Sequence, residues 1–132
     1  MIGDQATKQH ILVVDDDSAL CETIQMALEL WGHSVVSVHS GPEALEVFEP
    51  GKFDLVVTDY LMPSMTGDKL AAAIKTLSPT QPILMLTAYA DNFWPGSPIL
   101  SCVDALLTKP FKLDILRKSV LELGRASKTA VE

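Results

Sequence analysis

Short, mainly apolar runs alternate with longer amphipathic stretches along most of this chain. The runs are rich in β-branched residues and are bounded by turn residues, and they have the length of strands. Because most of these runs have apolar residues on both faces, they are typical of parallel strands that are covered on both sides. The five predicted strands cover 10–14, 34–38, 53–58, 82–87 and 103–108.

Apolar residues between and after these runs recur every three or four positions, which is the spacing of an amphipathic helix. Ser18 and Ser40 are suited to cap the first two helices, and Asp17 is expected either to face solvent or to cap the first helix itself. Gly32 and the pair Pro50-Gly51 are suited to end these helices. The helices predicted in this way cover 18–31, 41–48, 67–77 and 113–124.

The segment 91–98, between the last two strands, contains several helix breakers. Pro95 and Pro98 each lack the backbone donor that a helix needs, so we expect no regular helix there.

Alternation of strands and helices predicts an α/β fold, with a parallel sheet, helices on both faces and right-handed crossovers. The chain has 132 residues, which is the usual size of one domain. We expect that domain to cover 10–124, with flexible tails at 1–9 and 125–132. Ligands of such sheets bind beyond the carboxyl ends of the strands.

Composition narrows the classes of function. The net charge of -7 argues against non-specific nucleic-acid binding by this chain. No apolar run approaches the roughly 18 residues of a membrane span, and the first residues lack a signal peptide's apolar block, so we expect a cytoplasmic protein. Cys21 and Cys102 show no metal or redox spacing and are expected to be buried free thiols. The histidines, expected at the surface, are His10, His33 and His39.

Polar residues stand at the ends of four predicted strands. Because parallel strands end at the same edge of a sheet, we expect their side chains to converge. These residues are Asp15 and Asp16 after the first strand, Asp59 after 53–58, Thr87 at the end of 82–87 and Lys109 after 103–108.

Carboxylates brought together in this way repel one another. Two unit charges about 4 Å apart cost roughly 4 kcal/mol at an effective dielectric of about 20. Lys109 supplies one positive charge, and Mg²⁺ suits a site with few protein ligands and several waters. An aspartate beside Mg²⁺, a hydroxyl and a lysine can accept a phosphoryl group, with the carboxylate as nucleophile. Lys109 and the metal would neutralise the phosphoryl oxygens, and Thr87 could donate a hydrogen bond to one of them.

These residues resemble the receiver domains of two-component response regulators, of which the chemotaxis regulators are one kind. Each piece of the likeness is weak by itself, but all of them occur in order and each lies at a strand end. The pieces are Val13-Val14-Asp15-Asp16, Asp59 followed by Met62-Pro63 and Gly67, Thr87-Ala88, and Lys109-Pro110-Phe111.

The resemblance implies a flavodoxin-like (βα)5 fold with strand order 2-1-3-4-5. It also implies that Asp59 accepts a phosphoryl group from a histidine kinase or a histidine phosphotransfer protein. Such a domain catalyses only its own phosphorylation and dephosphorylation, and we expect a monomer or a weak dimer. By the same likeness the Lys109-Pro110 peptide is cis, and Thr87 and Lys109 contact the phosphoryl oxygens. The implied Mg²⁺ ligands are Asp16, Asp59, the backbone carbonyl of Leu61 and, through water, Asp15.

The chain departs from the family's pattern in two places. The family usually has an aromatic residue three positions before the lysine, where this chain has Leu106. The segment 91–98 also replaces what is commonly a helix. Our hypothesis is that Thr87 is not coupled to an aromatic rotamer switch, and that output uses another surface or a rearranged loop. Leu61 and Tyr89 flank the pocket and are not acidic, so we expect no fast self-hydrolysis.

Two other functions stay open at this point. A haloacid-dehalogenase-type phosphatase would use Asp15 of Asp15-x-Asp17 as its nucleophile, but no late acidic pair follows Lys109 and no cap domain is evident. A receiver-like interaction module that is never phosphorylated is the second alternative. We expect no output domain in this chain, which is either a stand-alone regulator or a piece of a hybrid kinase or multidomain regulator.

Overall fold

The computed structural model describes residues 8–89, 93–94 and 96–131, with side chains up to residue 124. All five predicted strands are present, although the last three begin later than predicted and the third includes Asp59. The elements are β1 (His10–Val14), α1 (Ser18–Leu30), β2 (Ser34–Val38), α2 (Gly41–Val47), β3 (Leu55–Asp59), α3 (Gly67–Leu77), β4 (Ile83–Thr87), β5 (Ala105–Thr108) and α4 (Leu113–Val131).

The strands form one parallel sheet in the order β2-β1-β3-β4-β5, which confirms the predicted fold class. Strand β1 pairs with both β2 and β3, so the strand order reverses between β1 and β3, where ligands of open α/β sheets bind. Alternate residues of the strands face two separate cores. Ile11 and Val13 pack under α1 and α4, and Leu12 and Val14 pack under α2 and α3.

Of the two candidate caps of helix α1, the structure has Asp17 and not Ser18 at the N-cap position. The Asp17 carboxylate accepts hydrogen bonds from the backbone N–H groups of Ala19 and Leu20 at 3.1 and 3.2 Å. Asp and Ser are similarly good caps, and only the backbone conformation decides between neighbours. Helix α2 follows the prediction, because the Ser40 hydroxyl accepts from the Glu43 N–H at 3.2 Å.

The last helix runs to Val131, and the prediction that it ends at Gly124 is wrong. A glycine inside a helix costs about 1 kcal/mol, which neighbouring helix formers can offset. Gly124 has a packing reason, since a Cβ at this position would overlap the side-chain amide of Gln9. Residues 1–7 lie outside the described residues, and the flexibility of both tails stays a prediction.

The prediction of no regular helix over 91–98 concerns a segment of which 91, 92 and 95 lie outside the described residues. None of the others belongs to an α-helix, and Pro98–Leu100 form one 3-10 turn. Both cysteines are free, with Cys21 buried and Cys102 only half-buried. Within the described part of the chain, no helix has the length and apolar character needed to cross a membrane.

Buried polar groups at the amino-terminal edge of the sheet join three elements. The Gln9 N–H donates to Nδ1 of His33 at 3.1 Å, and the Gln9 side-chain amide donates to the Val120 carbonyl at 3.1 Å. Gln9 is 1% exposed and His33 is 6% exposed, so the prediction that His33 lies at the surface is wrong. Burial, together with the charge of Arg117, lowers the pKa of His33, while Asp54 opposes this effect.

Candidate functional site

The carboxyl ends of the strands bring the predicted polar residues to one place. Asp59 and Thr87 are the last residues of β3 and β4. Asp15 directly follows β1, and Lys109 directly follows β5. The side chains of Asp15, Asp59 and Thr87 are buried, although most other residues of these strands are apolar. The shared edge of a parallel sheet therefore collects polar groups that are far apart in sequence.

Lys109 joins two of the acids. Its ammonium group donates to Asp59 Oδ1 at 2.9 Å and to Asp15 Oδ2 at 3.3 Å. Asp16 lies at the exposed side of the same cluster, and oxygen atoms of Asp15, Asp16 and Asp59 lie within 4.8 Å of one another. The Lys109–Pro110 peptide bond is cis, as the resemblance implied.

The electrostatics of this cluster oppose ionisation of Asp59. Burial raises the pKa of the Asp59 carboxyl, and the like charge of Asp15 adds to the rise, while Lys109 lowers it only in part. For Lys109 the balance is reversed. Burial lowers its pKa, but the two carboxylates outweigh burial and hold the pKa of the ammonium group above its ordinary value. The lysine therefore stays charged while the acids carry an unfavourable excess of negative charge.

A cavity of about 210 Å³ opens over these groups. Among the described residues that line it, Lys109 is the only cationic one. The lining residues are Asp15, Asp16, Asp17, Asp59, Leu61, Thr87, Ala88, Tyr89 and Lys109.

This donor set fits a hard divalent cation. Three carboxylates converge within 4.8 Å, and one ammonium group cannot balance their charge. Mg²⁺ prefers oxygen ligands and retains several waters, and the exposed position of Asp16 leaves room for them. The contacts described above do not involve the backbone carbonyl of Leu61, so its role as a metal ligand stays a prediction. The Leu61 side chain lines the cavity and is 52% exposed.

Backbone contacts hold the acids and Thr87 in place. The Asp17 N–H donates to Asp15 Oδ1 at 2.9 Å, and the Tyr89 N–H donates to the Thr87 hydroxyl at 2.9 Å. The Gly67 N–H donates to the Tyr60 carbonyl at 2.7 Å, and a Cβ at Gly67 would overlap the backbone carbonyl of Asp59 at the end of β3. The glycine in the predicted motif is thus needed for the close approach of the loop to the strand.

Sequence reasoning missed one neighbour of the site. Nδ1 of His39 lies 3.1 Å from the backbone carbonyl of Asp15. No residue spacing indicated this contact, because it depends on the pairing of β1 with β2.

Comparison with protein families gives a match over most of the chain. A family model described as the response regulator receiver domain matches residues 11–121. The transcriptional regulatory protein GlrR of Escherichia coli (strain K12) is 36% identical over 111 residues, which is 84% of this chain. The response regulator protein FleR of Pseudomonas aeruginosa is 43% identical over 115 residues, also 84% of this chain. The matched regions are 25% and 24% of those proteins, so the chain spans about a quarter of their length.

Solved structures agree with the sequence matches. The response regulator protein TrrA of Thermotoga maritima, in complex with Mg(2+)-BeF, has a TM-score of 0.80 and 31% identity, covering 87% of this chain and 98% of that chain. A CheY-like response regulator receiver domain protein from Methanospirillum hungatei JF-1 has a TM-score of 0.85 and 27% identity, covering 93% and 98%. With this sheet order, these strand-end residues and these relatives, the chain belongs to the response regulator receiver domain family of two-component signalling.

Proposed function

We propose that Asp59 is the phosphoryl acceptor of this receiver domain and that a phosphohistidine is the donor. The observation that carries this proposal is the buried Asp59 carboxylate, paired with the Lys109 ammonium group at 2.9 Å under an open cavity. A histidine kinase or a histidine phosphotransfer protein would supply the phosphohistidine. The domain acts only on its own carboxylate, so it is not an enzyme with an external substrate to turn over.

The transfer needs a free carboxylate oxygen and a way to balance charge. An Asp59 oxygen attacks phosphorus and forms an O–P bond, while the P–N bond to the donor's imidazole breaks and its electron pair returns to nitrogen, which takes a proton from solvent. Lys109 stays protonated and can move its hydrogen bonds from the carboxylates to the phosphoryl oxygens. The Thr87 hydroxyl, at the end of β4, donates to another of these oxygens.

The proposed Mg²⁺ ligands are those that the resemblance implied. They are Asp16, Asp59, the backbone carbonyl of Leu61 and, through water, Asp15. When bound, Mg²⁺ neutralises charge on the carboxylates and the phosphoryl oxygens. The complex of the similar protein TrrA with Mg(2+)-BeF supports this assignment, as do the converging carboxylates here.

The contacts of Asp15 favour Asp59 over Asp15 as the nucleophile. Asp15 Oδ1 accepts from the Asp17 N–H, and Asp15 Oδ2 accepts from Lys109. With hydrogen bonds on both oxygens and 1% exposure, Asp15 is poorly placed to attack, which weighs against a phosphatase of the haloacid-dehalogenase type. We further propose that the domain works in the cytoplasm as a monomer or weak dimer, without direct contact to nucleic acid or membrane.

Labelling with acetyl phosphate tests this function. We expect Mg²⁺-dependent addition of one phosphoryl group, seen by intact mass, that is abolished in Asp59→Asn and by chelation of the metal. Asp114→Asn, which changes an exposed acid on α4, is the matched control and is expected to label like the wild type. Labelling that persists in Asp59→Asn contradicts the proposal. No labelling of the wild type favours the unphosphorylated interaction module, and steady turnover of a generic phosphate ester favours the phosphatase.

We also propose a slow loss of the phosphoryl group. The side chains of Leu61 and Tyr89 line the cavity, and neither can activate a water molecule as a carboxylate would. The decay of labelled protein after removal of acetyl phosphate measures this property. A half-life of seconds contradicts it.

A further inference from the structure

The turn after β1 carries two of the proposed Mg²⁺ ligands, and these two acids are held in different ways. Asp15 is 1% exposed, and its two carboxylate oxygens accept hydrogen bonds from the Asp17 N–H and from Lys109. Asp16 is exposed, and within the described part of the chain no hydrogen bond or ion pair reaches its carboxylate. The direction of the Asp16 side chain therefore depends on the backbone from which it extends.

A histidine that follows the neighbouring strand β2 holds this backbone. Nδ1 of His39 lies 3.1 Å from the backbone carbonyl oxygen of Asp15. Because a carbonyl oxygen can only accept, a hydrogen bond between these two atoms requires that Nδ1 carries the proton. The Asp15 N–H donates to the Val38 carbonyl at 3.2 Å. Both backbone groups of Asp15 are thus bound to the end of β2.

The Asp15 carbonyl and the Asp16 N–H belong to the same peptide group. A peptide group is planar, so a bond that fixes the carbonyl also fixes the direction of the N–H and the position of the Asp16 Cα atom. A buried carbonyl that loses its donor would turn towards another partner, because such groups are rarely left unpaired. That rotation would move the Asp16 carboxylate, whose oxygen now lies within 4.8 Å of oxygens of Asp15 and Asp59.

The start of α2 holds His39 itself. The backbone N–H of His39 donates to Glu43 Oε1 at 2.9 Å, and the Glu43 N–H donates to the Ser40 hydroxyl at 3.2 Å. These bonds are a variant of the reciprocal cap that fixes the entry of a chain into a helix. The ring of His39 therefore reaches Asp15 from an anchored backbone, although the residue is exposed.

We propose that His39 is a positioning residue of the Mg²⁺ site, because its Nδ1–H holds the Asp15–Asp16 peptide so that the Asp16 carboxylate faces Asp59. This inference rests on the proposed function of the site. His39 acts through Asp16 and needs no contact with the metal or the phosphoryl group. Without His39, the metal itself would have to draw Asp16 into place. The loss therefore falls on the affinity for Mg²⁺ and not on the rate of the loaded site.

Two substitutions in the full chain separate the donor from the size of the side chain. His39→Leu has a similar volume and no donor, whereas His39→Asn places an amide N–H close to the position of Nδ1. Unfolding at increasing Mg²⁺ concentrations gives the affinity, since a ligand of the folded state stabilises it according to its saturation. We expect about tenfold weaker binding in His39→Leu, the low end of the effect of groups that orient metal ligands, and nearly full affinity in His39→Asn. The matched control is His10→Leu, an exposed histidine at the opposite edge of the sheet, which should leave the affinity unchanged.

Two further measurements distinguish positioning from a general structural role. The Mg²⁺ concentration that half-saturates labelling by acetyl phosphate should rise in His39→Leu as the affinity falls, while the maximal rate stays near that of the wild type. A structural role alone would lower the stability without metal and leave the half-saturating concentration unchanged. In the metal-free wild type, 15N NMR of the neutral His39 ring should show the proton on Nδ1.

The outcomes separate this inference from the proposed function. A wild type that is neither stabilised by Mg²⁺ nor labelled contradicts the proposed metal site, and this inference with it. Mg²⁺ binding that is equal in the wild type and His39→Leu overturns the role of His39 alone, as does binding that is equally weak in His39→Leu and His39→Asn. A ring proton on Nε2 in the wild type overturns that role as well, and this measurement does not depend on the folding of any variant.

Discussion

The two edges of the sheet both bury polar side chains, but they do so in opposite ways. At the amino-terminal edge, Gln9 and His33 are neutral and hydrogen-bond to backbone groups or to each other. At the carboxyl edge, Asp15 and Asp59 are both acids, and they share the ammonium group of Lys109. One edge joins helices and strands, whereas the other concentrates like charges.

This difference indicates where the protein gives up stability for chemistry. Neutral buried groups that are paired contribute about 1 kcal/mol per hydrogen bond. Buried charges contribute little or are unfavourable unless a partner of opposite sign balances them, and here the acids outnumber the lysine. We therefore expect substitutions at the two edges to change stability in ways that differ in sign and in pH dependence.

The largest effect is expected for Lys109→Met at the carboxyl edge. This change leaves two buried carboxylates without their cation, and breaking a buried ion pair in this way costs roughly 3 kcal/mol. Denaturant unfolding at neutral pH without metal measures the loss. In the Asp59→Asn background, Lys109→Met should cost less, because one of the two acids is already gone. An equal cost in both backgrounds would contradict the electrostatic explanation.

A smaller loss is expected for Gly124→Ala at the amino-terminal edge. The added methyl group displaces the Gln9 amide from the Val120 carbonyl, and a buried amide left unpaired costs about 1 to 3 kcal/mol. In the Gln9→Ala background the same change should stabilise the protein by up to about 1 kcal/mol, because alanine is the better helix former. Thermal unfolding of the four proteins shows whether the sign reverses. Destabilisation in both backgrounds would mean that Gln9 is not the obstacle.

Asp59→Asn should stabilise the metal-free protein at neutral pH by roughly 1 kcal/mol, as removal of a destabilised functional group often does. Because burial raises the pKa of Asp59 in the folded state, ionisation costs more in the folded protein than in the unfolded chain. That cost is absent when the pH lies below 3.8, the ordinary pKa of an aspartate carboxyl, and it grows as the pH rises through the folded-state pKa. Unfolding of both proteins across this range should show the gain shrinking towards acid pH. A gain independent of pH would contradict this reason.

His33 should give the smallest effect, with a pH dependence in the other direction. Its pKa is lowered in the folded state, so its contribution is complete above 6.5 and is lost as the pH falls below that value. One such group changes stability by at most about 1.4 kcal/mol per pH unit. His33→Asn keeps an acceptor for the Gln9 N–H but does not titrate. The stability of this variant should therefore fall less than that of the wild type as the pH is lowered from about 7 to about one unit below the ordinary histidine pKa. Parallel curves for the two proteins would exclude a role for His33.

Much of the fold could be predicted from the chain because each element has a local cause. The apolar runs gave all five strands, and the bounds of α3 match the prediction at Gly67 and Leu77. The sequence left a choice open, or misled, where local signals compete. Asp17 and Ser18 were both candidate caps of α1, and only the structure chose Asp17. Gly124 is both a common helix end and a residue that makes room for Gln9, and the predicted helix end there was wrong.

The amino-acid sequence alone determined the strand-end positions of Asp15, Asp59, Thr87 and Lys109, because apolar periodicity and polar punctuation are local properties of the chain. Only the tertiary structure decided that Lys109 lies 2.9 Å from Asp59 and that the Tyr89 N–H donates to the Thr87 hydroxyl. The distance between Lys109 and Asp59 arises from the packing of strands that are far apart in sequence. The spacing of residues along the chain does not give the distance between side chains that come from different strands.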